Sequence, residues 1–466
     1  MITKKETEMD FHGGNIYKVF REKNIKEILD YSSNINPYGI PEGLKKRITE
    51  NLEVLERYPD PDYVELREKL AHLNNVNISD IVLGNGATEI IFLFMKVINP
   101  KKILIVSPTF GEYERAVKAT EIPGNLVDLS YSNGENKKIE IEYFELKESD
   151  DFKLNIGNLK NQLEKKYDLL IICNPNNPTG KFLKLAETEE ILKECNKYDT
   201  KLFIDEAFIE FLEDGMKESI INTEENKKNL FVTRAFTKFF AIPGLRLGYG
   251  MYFDKELEKK ISEKKEPWSV NNIAELVGLT VLDDTEYIEK TLKWIAEEKV
   301  YMYEKLNEIL GIKVYETEVN FITGKIDEKL FSEGLNVKIL REKMLEQGIL
   351  IRDASNFKFL DERFFRLAIK DRESNDRVIE AMKEIFREKE NKDNIYKDNS
   401  DISYDILKDI LSNPKKLLDE LVERSGLTGD KYIRLMKTPF VDEAVHLIIE
   451  GLNNINSGND ENHDNA

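Results

Sequence analysis

One amine stands in apolar company. In Thr237-Lys238-Phe239-Phe240-Ala241-Ile242-Pro243-Gly244-Leu245-Arg246, a lysine lies among aromatic residues and an arginine follows eight residues later in a Pro-Gly turn. Apolar surroundings and a neighbouring cation both disfavour the ammonium form, which suits a lysine that must attack a carbonyl as a Schiff-base nucleophile. A lysine in an apolar run can also be a snorkelling surface residue; the arginine beside the turn argues against that. Three further segments carry functional groups. Gly84-Asn85-Gly86-Ala87-Thr88-Glu89 joins an apolar run to a helical pattern, so its backbone N–H groups and helix dipole suit a phosphate, although a plain turn has the same composition. Cys173-Asn174-Pro175-Asn176-Asn177-Pro178-Thr179-Gly180 repeats an Asn-Pro step at the end of an apolar run. It is either a rigid loop or a device that aims a carboxamide from the carboxyl edge of a sheet, where α/β ligands bind. Phe203-Ile204-Asp205-Glu206-Ala207-Phe208 puts carboxylates directly after an apolar run. One of them could keep a cationic ring nitrogen protonated, or equally cap a helix.

These groups need strands to carry them. Residues 81–83, 103–106, 169–173, 202–204 and 230–233 are short apolar runs suited to strands buried on both faces. Helical patterns such as 88–98 and 187–197 separate them. The alternation predicts a large α/β domain over 51–280 with a mostly parallel central sheet. Beyond 280, charged helical stretches (286–310, 338–347, 373–389) flank strand-like runs at 321–323 and 365–369. They predict a smaller α+β domain over 281–387, which the N-terminal segment 1–50 joins. Residues 388–400 are polar without an apolar period and read as a linker. Asn413-Pro414 and Thr438-Pro439 resemble helix starts, so 401–453 is expected to form an extra C-terminal helical module. A disordered tail, 454–466, follows.

Composition limits what such a protein handles. The 466 residues carry a formal net charge of −19, the wrong sign for a nucleic-acid or anionic-membrane partner. Any anionic ligand must therefore meet cations that are few and placed. Cys173 and Cys195 form no C-x-x-C pair, and His12, His72, His446 and His463 are scattered; no metal site is expected. Without an apolar stretch of about 18 residues to span a membrane, the chain is expected to be cytoplasmic.

Taken in order, the four segments resemble the pyridoxal-phosphate enzymes of fold type I, the aspartate aminotransferase superfamily, over roughly residues 10–387. The resemblance implies pyridoxal 5′-phosphate as cofactor, bound covalently by Lys238, with Asp205 on the pyridine nitrogen. Asn177 would bond the ring hydroxyl, Ala87, Thr88, Thr237 and Arg246 the phosphate, and Phe110 would stack on the ring. Tyr58, in Arg57-Tyr58-Pro59-Asp60, would reach the cofactor phosphate of a second subunit, which implies a homodimer. Many relatives carry tyrosine where this chain has Phe208, so Asn177 is left with less help at the ring oxygen. Within the superfamily, His12-Gly13-Gly14-Asn15, Ser32-Ser33-Asn34-Ile35-Asn36-Pro37, Pro267-Trp268-Ser269-Val270-Asn271 and Ile351-Arg352-Asp353-Ala354-Ser355-Asn356-Phe357 are more similar to the threonine-phosphate decarboxylases of cobamide synthesis. The alternative is the histidinol-phosphate aminotransferases. Both groups act on small phosphorylated amines and differ in which bond at Cα breaks. Arg352 and Arg366, with His12 and Asn36, are the residues expected to grip the substrate's phosphate and carboxylate, since a guanidinium bonds oxyanions bidentately.

Overall fold

The computed structural model describes residues 13–23, 27–121 and 139–398, with side chains to 387. His12, the module at 401–453 and the tail at 454–466 lie outside the described residues. After a two-residue strand, β1 (Leu29–Asp30), the chain builds a seven-stranded sheet from β2 (Ile81–Asn85), β3 (Lys102–Ser107), β4 (Glu140–Glu145), β5 (Leu169–Cys173), β6 (Lys201–Asp205), β7 (Leu230–Ala235) and β8 (Leu247–Tyr252). The order is β2-β8-β7-β6-β5-β3-β4, parallel throughout except for β8, which runs antiparallel to both neighbours. Alternation along each strand fills two apolar layers. Leu104, Leu170, Leu202 and Val232 pack on one face, and Ile103, Ile171, Phe203 and Phe231 on the other. Helices cover both faces, as continuous apolar strands require.

Two strands escape the apolar-run pattern, each for a physical reason. β4 reads Glu-Ile-Glu-Tyr-Phe-Glu and is a half-exposed edge, so it needs little apolar content. β8 is Leu-Gly-Tyr-Gly-Met-Tyr. A side chain at Gly248 would place its Cβ 2.4 Å from the Ala87 nitrogen, and one at Gly250 would strike Ile90 and Phe231. The glycines let β8 lie directly against the start of the helix Ala87–Ile98.

The second sheet is antiparallel, in the order β12-β13-β10-β9, from β9 (Ile312–Tyr315), β10 (Phe321–Ile326), β12 (Arg352–Asp353) and β13 (Phe364–Ala368). β11 (Ile349–Leu350) pairs in parallel with β1, which ties the N-terminal segment to this part of the chain. The link is reinforced by Ala368, whose N–H donates to Tyr31 O at 2.9 Å, and by Tyr31 Oη, which donates to Asn375 Oδ1 at 2.7 Å.

Contacts divide the chain into Met1–Arg387 and Glu388–Ala466. The stretch read as a linker from 388 is largely helical, because the helix Arg372–Asp398 continues through it. Glu, Lys and Arg are good helix formers, and a helix can outlast its apolar face.

Candidate active site

The carboxyl ends of the parallel strands converge on a cavity of about 840 Å³. Lys238 enters it from the short helix Phe236–Phe239, which follows β7 without a loop and is anchored by buried Phe236 and Phe239. Its Nζ lies 3.1 Å from Thr237 Oγ1. Burial, with Arg246 and then Arg366 adding repulsion, lowers the amine to about 8, against the pull of Asp205. The lysine's neutral form is thus accessible near physiological pH, as a carbonyl-bonding amine requires.

Asp205 ends β6 and is buried. Tyr113 Oη donates to Oδ2 at 2.7 Å and the Ala207 N–H donates to Oδ1 at 2.9 Å. Burial pushes this carboxyl up, while those two donors and Lys238 draw it down. Tyr113 is wholly buried and carries no sequence motif, so it was not expected in the site. Phe110 lines the cavity and meets Tyr113 edge-on at 5.7 Å.

A tight turn forms where β2 runs into the helix Ala87–Ile98. Gly86 takes φ 80° at the N-cap, and a Cβ there would come within 2.4 Å of Arg246 Nη2. Glycine therefore lets the guanidinium sit against the helix start. The backbone at Ala87 and Thr88, the Thr237 side chain and Arg246 all line the cavity beside it.

Arg352 and Arg366 are direct cross-strand partners on β12 and β13. Arg366 Nη1 donates to Asn177 Oδ1, and its Nη2 donates to Ser32 O at 2.8 Å. Its buried Nε has no hydrogen-bond partner among the described residues. Burial and the neighbouring Arg352 lower the Arg366 guanidinium to about 9, with Asp30 opposing. Arg366 takes the Asn177 oxygen, and Asn177 lines the cavity. Arg352 Nη2 donates to Asn356 Oδ1 at 2.7 Å, and its guanidinium lies 5.3 Å from the Phe357 ring. Gly13 lines the same cavity, and the Gly14 N–H donates to Ser32 Oγ at 2.7 Å.

Two of the expected residues do not line this chain's own cavity, and only for Asn36 does that depart from expectation. Asn36 is buried away from the cavity lining. Its Nδ2 donates to Phe239 O and Thr291 Oγ1, both at 2.8 Å, and its Oδ1 accepts from the Tyr38 N–H. With its amide saturated it cannot grip substrate; instead its own N–H donates to Lys238 O at 3.1 Å and braces the lysine's helix. Tyr58 is 80% exposed, packs on Trp268 at 5.1 Å, and does not line the cavity of its own chain. Phe208 does line it, packed against Phe321 at 5.0 Å.

Behind Asp205, the next carboxylate points away. Glu206 pairs with Arg234 at 2.8 Å, both 1% exposed in their side chains. Ser219 and the Ile220 N–H complete the carboxylate, and Asn74 and Tyr249 accept from the guanidinium. The pair locks the ends of β6 and β7 and so fixes the spacing between Asp205 and Lys238.

A parallel α/β sheet whose carboxyl edge presents a lysine, a buried aspartate and a glycine-arginine anion cradle defines a class of cofactor-dependent enzymes. The chain belongs to the aminotransferase class I and II family, whose model matches residues 26–382. It is 42% identical over 377 residues to a protein of Caldanaerobacter subterraneus subsp. tengcongensis that bears the provisional name threonine-phosphate decarboxylase, covering 81% of this chain and 94% of that one. It is 33% identical over 377 residues to the threonine-phosphate decarboxylase of Salmonella typhimurium, covering 80% and 96%. Among solved structures, the histidinol-phosphate aminotransferase of Clostridium acetobutylicum aligns with a TM-score of 0.68 at 34% identity, covering 78% of this chain and all of that one.

Pyridoxal 5′-phosphate fits this donor set. A dianion suits the Gly86 cradle with Arg246, a protonated ring nitrogen suits the buried Asp205, and the free Asn177 amide suits a phenolate oxygen.

Proposed function

We propose that this chain is a pyridoxal-phosphate-dependent carboxy-lyase that converts L-threonine O-3-phosphate to CO₂ and (R)-1-aminopropan-2-yl phosphate, the linker of the cobamide nucleotide loop. The observation that carries the reading is the opposed pair Arg352 and Arg366 in the cavity that holds Lys238. Two guanidiniums side by side suit a substrate with two oxyanionic ends, a phosphate and a carboxylate. The similarity to proteins named as threonine-phosphate decarboxylases supports the same choice.

Ala87, Thr88, Thr237 and Arg246 would hold the cofactor's phosphate and Phe110 would pack on its ring; once bound, the cofactor would supply an electron sink for the electron pair at Cα. Asp205, held by Tyr113, would keep the ring nitrogen's proton, and Asn177 would donate to the ring oxygen. Arg352 and Arg366, with His12, orient the substrate and so choose the bond at Cα that breaks. Lys238, an amine poised near neutrality, delivers the proton that replaces the carboxylate. The enzyme works as a cytoplasmic homodimer, in which the exposed Tyr58 reaches the second subunit's cofactor phosphate.

The test is a product assay on the purified, cofactor-loaded protein. Threonine phosphate should yield one CO₂ per substrate consumed, with no 2-oxo acid required. The 34% identity to the Clostridium enzyme makes histidinol phosphate the control. Its consumption dependent on 2-oxoglutarate, without CO₂ from threonine phosphate, would establish the aminotransferase instead.

A further inference from the structure

The cavity wall is cationic against the trend of the chain. Seven lysines and arginines line it beside three carboxylates, in a protein of net charge −19. Six of the seven have a partner or a task already described or evident. Arg115 and Lys118, for instance, are paired with Glu112 and Glu114 along their own helix.

The seventh is Lys358. It is exposed and lines the cavity, which places it at the opening. Among the described residues no carboxylate lies within ion-pair distance of it. Its ammonium instead rests over the Tyr143 ring, 4.6 Å from the centroid, and 5.8 Å from that of Phe359. Tyr143, on β4, is itself hydrogen-bonded through its hydroxyl to Glu114. A phenol that donates to a carboxylate has a more electron-rich ring, which strengthens the hold on a cation above it. Lys358 also belongs to the loop that serves the substrate arginines, since Asn356 and Phe357 both contact Arg352.

We infer that Lys358 is a capture and specificity residue for the outer, dianionic group of the substrate. Tyr143 parks the ammonium over the opening, and an arriving phosphate draws it off the ring. A charge-assisted bond to phosphate is stronger than an exposed cation–π contact, so the exchange is favourable. Arg352, which lines the same cavity, then receives the same anion. The inference rests on the proposed reaction and deepens it, because it assigns the recognition of the phosphate to a residue that takes no part in the chemistry.

The experiment compares the full-length, cofactor-loaded wild type with Lys358→Ala, Lys358→Arg and Lys358→Glu, measuring CO₂ release from threonine phosphate at low and high ionic strength. For Lys358→Ala, kcat/KM should fall about five- to tenfold at low salt with kcat within about twofold, as expected for a lost steering cation. The deficit should shrink at high salt. Lys358→Arg should restore the wild-type value and Lys358→Glu should deepen the loss. A Lys358→Ala enzyme with unchanged KM and unchanged salt dependence would overturn the assignment, as would a drop in kcat alone. Calorimetric titration of inorganic phosphate into the same holoproteins gives a readout independent of turnover. Weaker phosphate binding in Lys358→Ala supports the capture role even if the wild type releases no CO₂, an outcome that counts against the proposed reaction only; equal binding refutes the role.

Discussion

Arg352 and Arg366 stand directly opposite one another across the antiparallel pair β12–β13, and both are at least 95% or so buried, at 4% and 5% exposure. Like charges in register on a sheet are destabilising, and burial adds to the cost. Arg352 is held by Asn356 and the face of Phe357. Arg366 is bonded to Asn177 and Ser32 yet keeps an unpartnered Nε, and its guanidinium is pushed down to about 9. A bound dianion or carboxylate removes the conflict. On the proposed reaction, the pair serves as the site for the substrate's oxyanions.

That arrangement predicts unequal effects of Arg352→Gln on stability and on binding. Without substrate, the variant should lose little stability, since relief of the repulsion on Arg366 offsets the lost contacts to Asn356 and Phe357. Its KM for threonine phosphate should rise by about 30-fold or more, because a charge-assisted contact to an anion is worth roughly 2 kcal/mol or more. Denaturation and steady-state kinetics on one preparation check both.

Lys238 carries a pH signature. Its folded value of about 8 lies below the ordinary 10.5, so between these limits the unfolded chain binds more protons than the folded one. Stability of the cofactor-free protein therefore rises with pH across that window, and below pH 8 the buried ammonium is a full cost. Cofactor-free Lys238→Met should be more stable than the wild type at pH 7 by roughly 1–3 kcal/mol, with the gap closing toward pH 10. Borohydride reduction of the holoprotein, followed by peptide mapping, should place the cofactor label on Lys238 and nowhere in the variant.

How far the residues alone reveal this site depends on what each position needs. β3, β5, β6 and β7 were legible because strands buried on both faces must be apolar; Asp205 and Asn177 stood out directly after such runs and Lys238 by its aromatic neighbours and the arginine that follows, while their roles came from the family resemblance. β4 and β8 were not, since an edge strand tolerates glutamates and β8 needs glycine to approach residues 86 and 87. Asn36 was misplaced because a motif gives a residue's type and not its direction; three backbone and side-chain partners consume its amide. Tyr113 was missed because a lone tyrosine in a helix has no pattern until its hydroxyl meets Asp205.

For Asn36 the revised position makes its own prediction. Asn36→Ala removes the amide that ties Phe239 O to Thr291 and loosens the helix that carries Lys238. The kcat should fall about tenfold, as for a lost buried hydrogen bond or two. The KM for threonine phosphate should stay within about twofold, since Asn36 does not touch the substrate; a substrate-binding asparagine would raise it instead.

Tyr113→Phe isolates the support given to Asp205. The variant keeps the ring that packs on Phe110 and Phe203 and loses only the 2.7 Å bond to Oδ2. Burial already pushes Asp205 up, and Tyr113 is the largest opposing influence. Its removal should move the acidic limb of the kcat profile to higher pH and lower kcat at neutrality by about tenfold, for a bond to a charged group worth about 1.5 kcal/mol. An unshifted acidic limb would mean that Asp205 does not depend on this hydroxyl.

The buried pair behind the site sets the last expectation. Glu206 and Arg234 are enclosed, and each is the other's main compensation: Arg234 donates to Glu206 through Nε at 3.0 Å and Nη2 at 2.8 Å. Arg234→Met strands a carboxylate in the core and should cost about 3–5 kcal/mol. Glu206→Gln with Arg234→Met leaves no charge behind and should recover a large part of that loss, because a neutral amide can still accept from Ser219 and the Ile220 N–H. Urea denaturation of the two single variants and the double variant measures the coupling. If the pair also holds Asp205 and Lys238 in register, the double variant should refold stably yet keep a reduced kcat. Recovery of stability without recovery of rate would separate the pair's effect on the fold from its effect on the site.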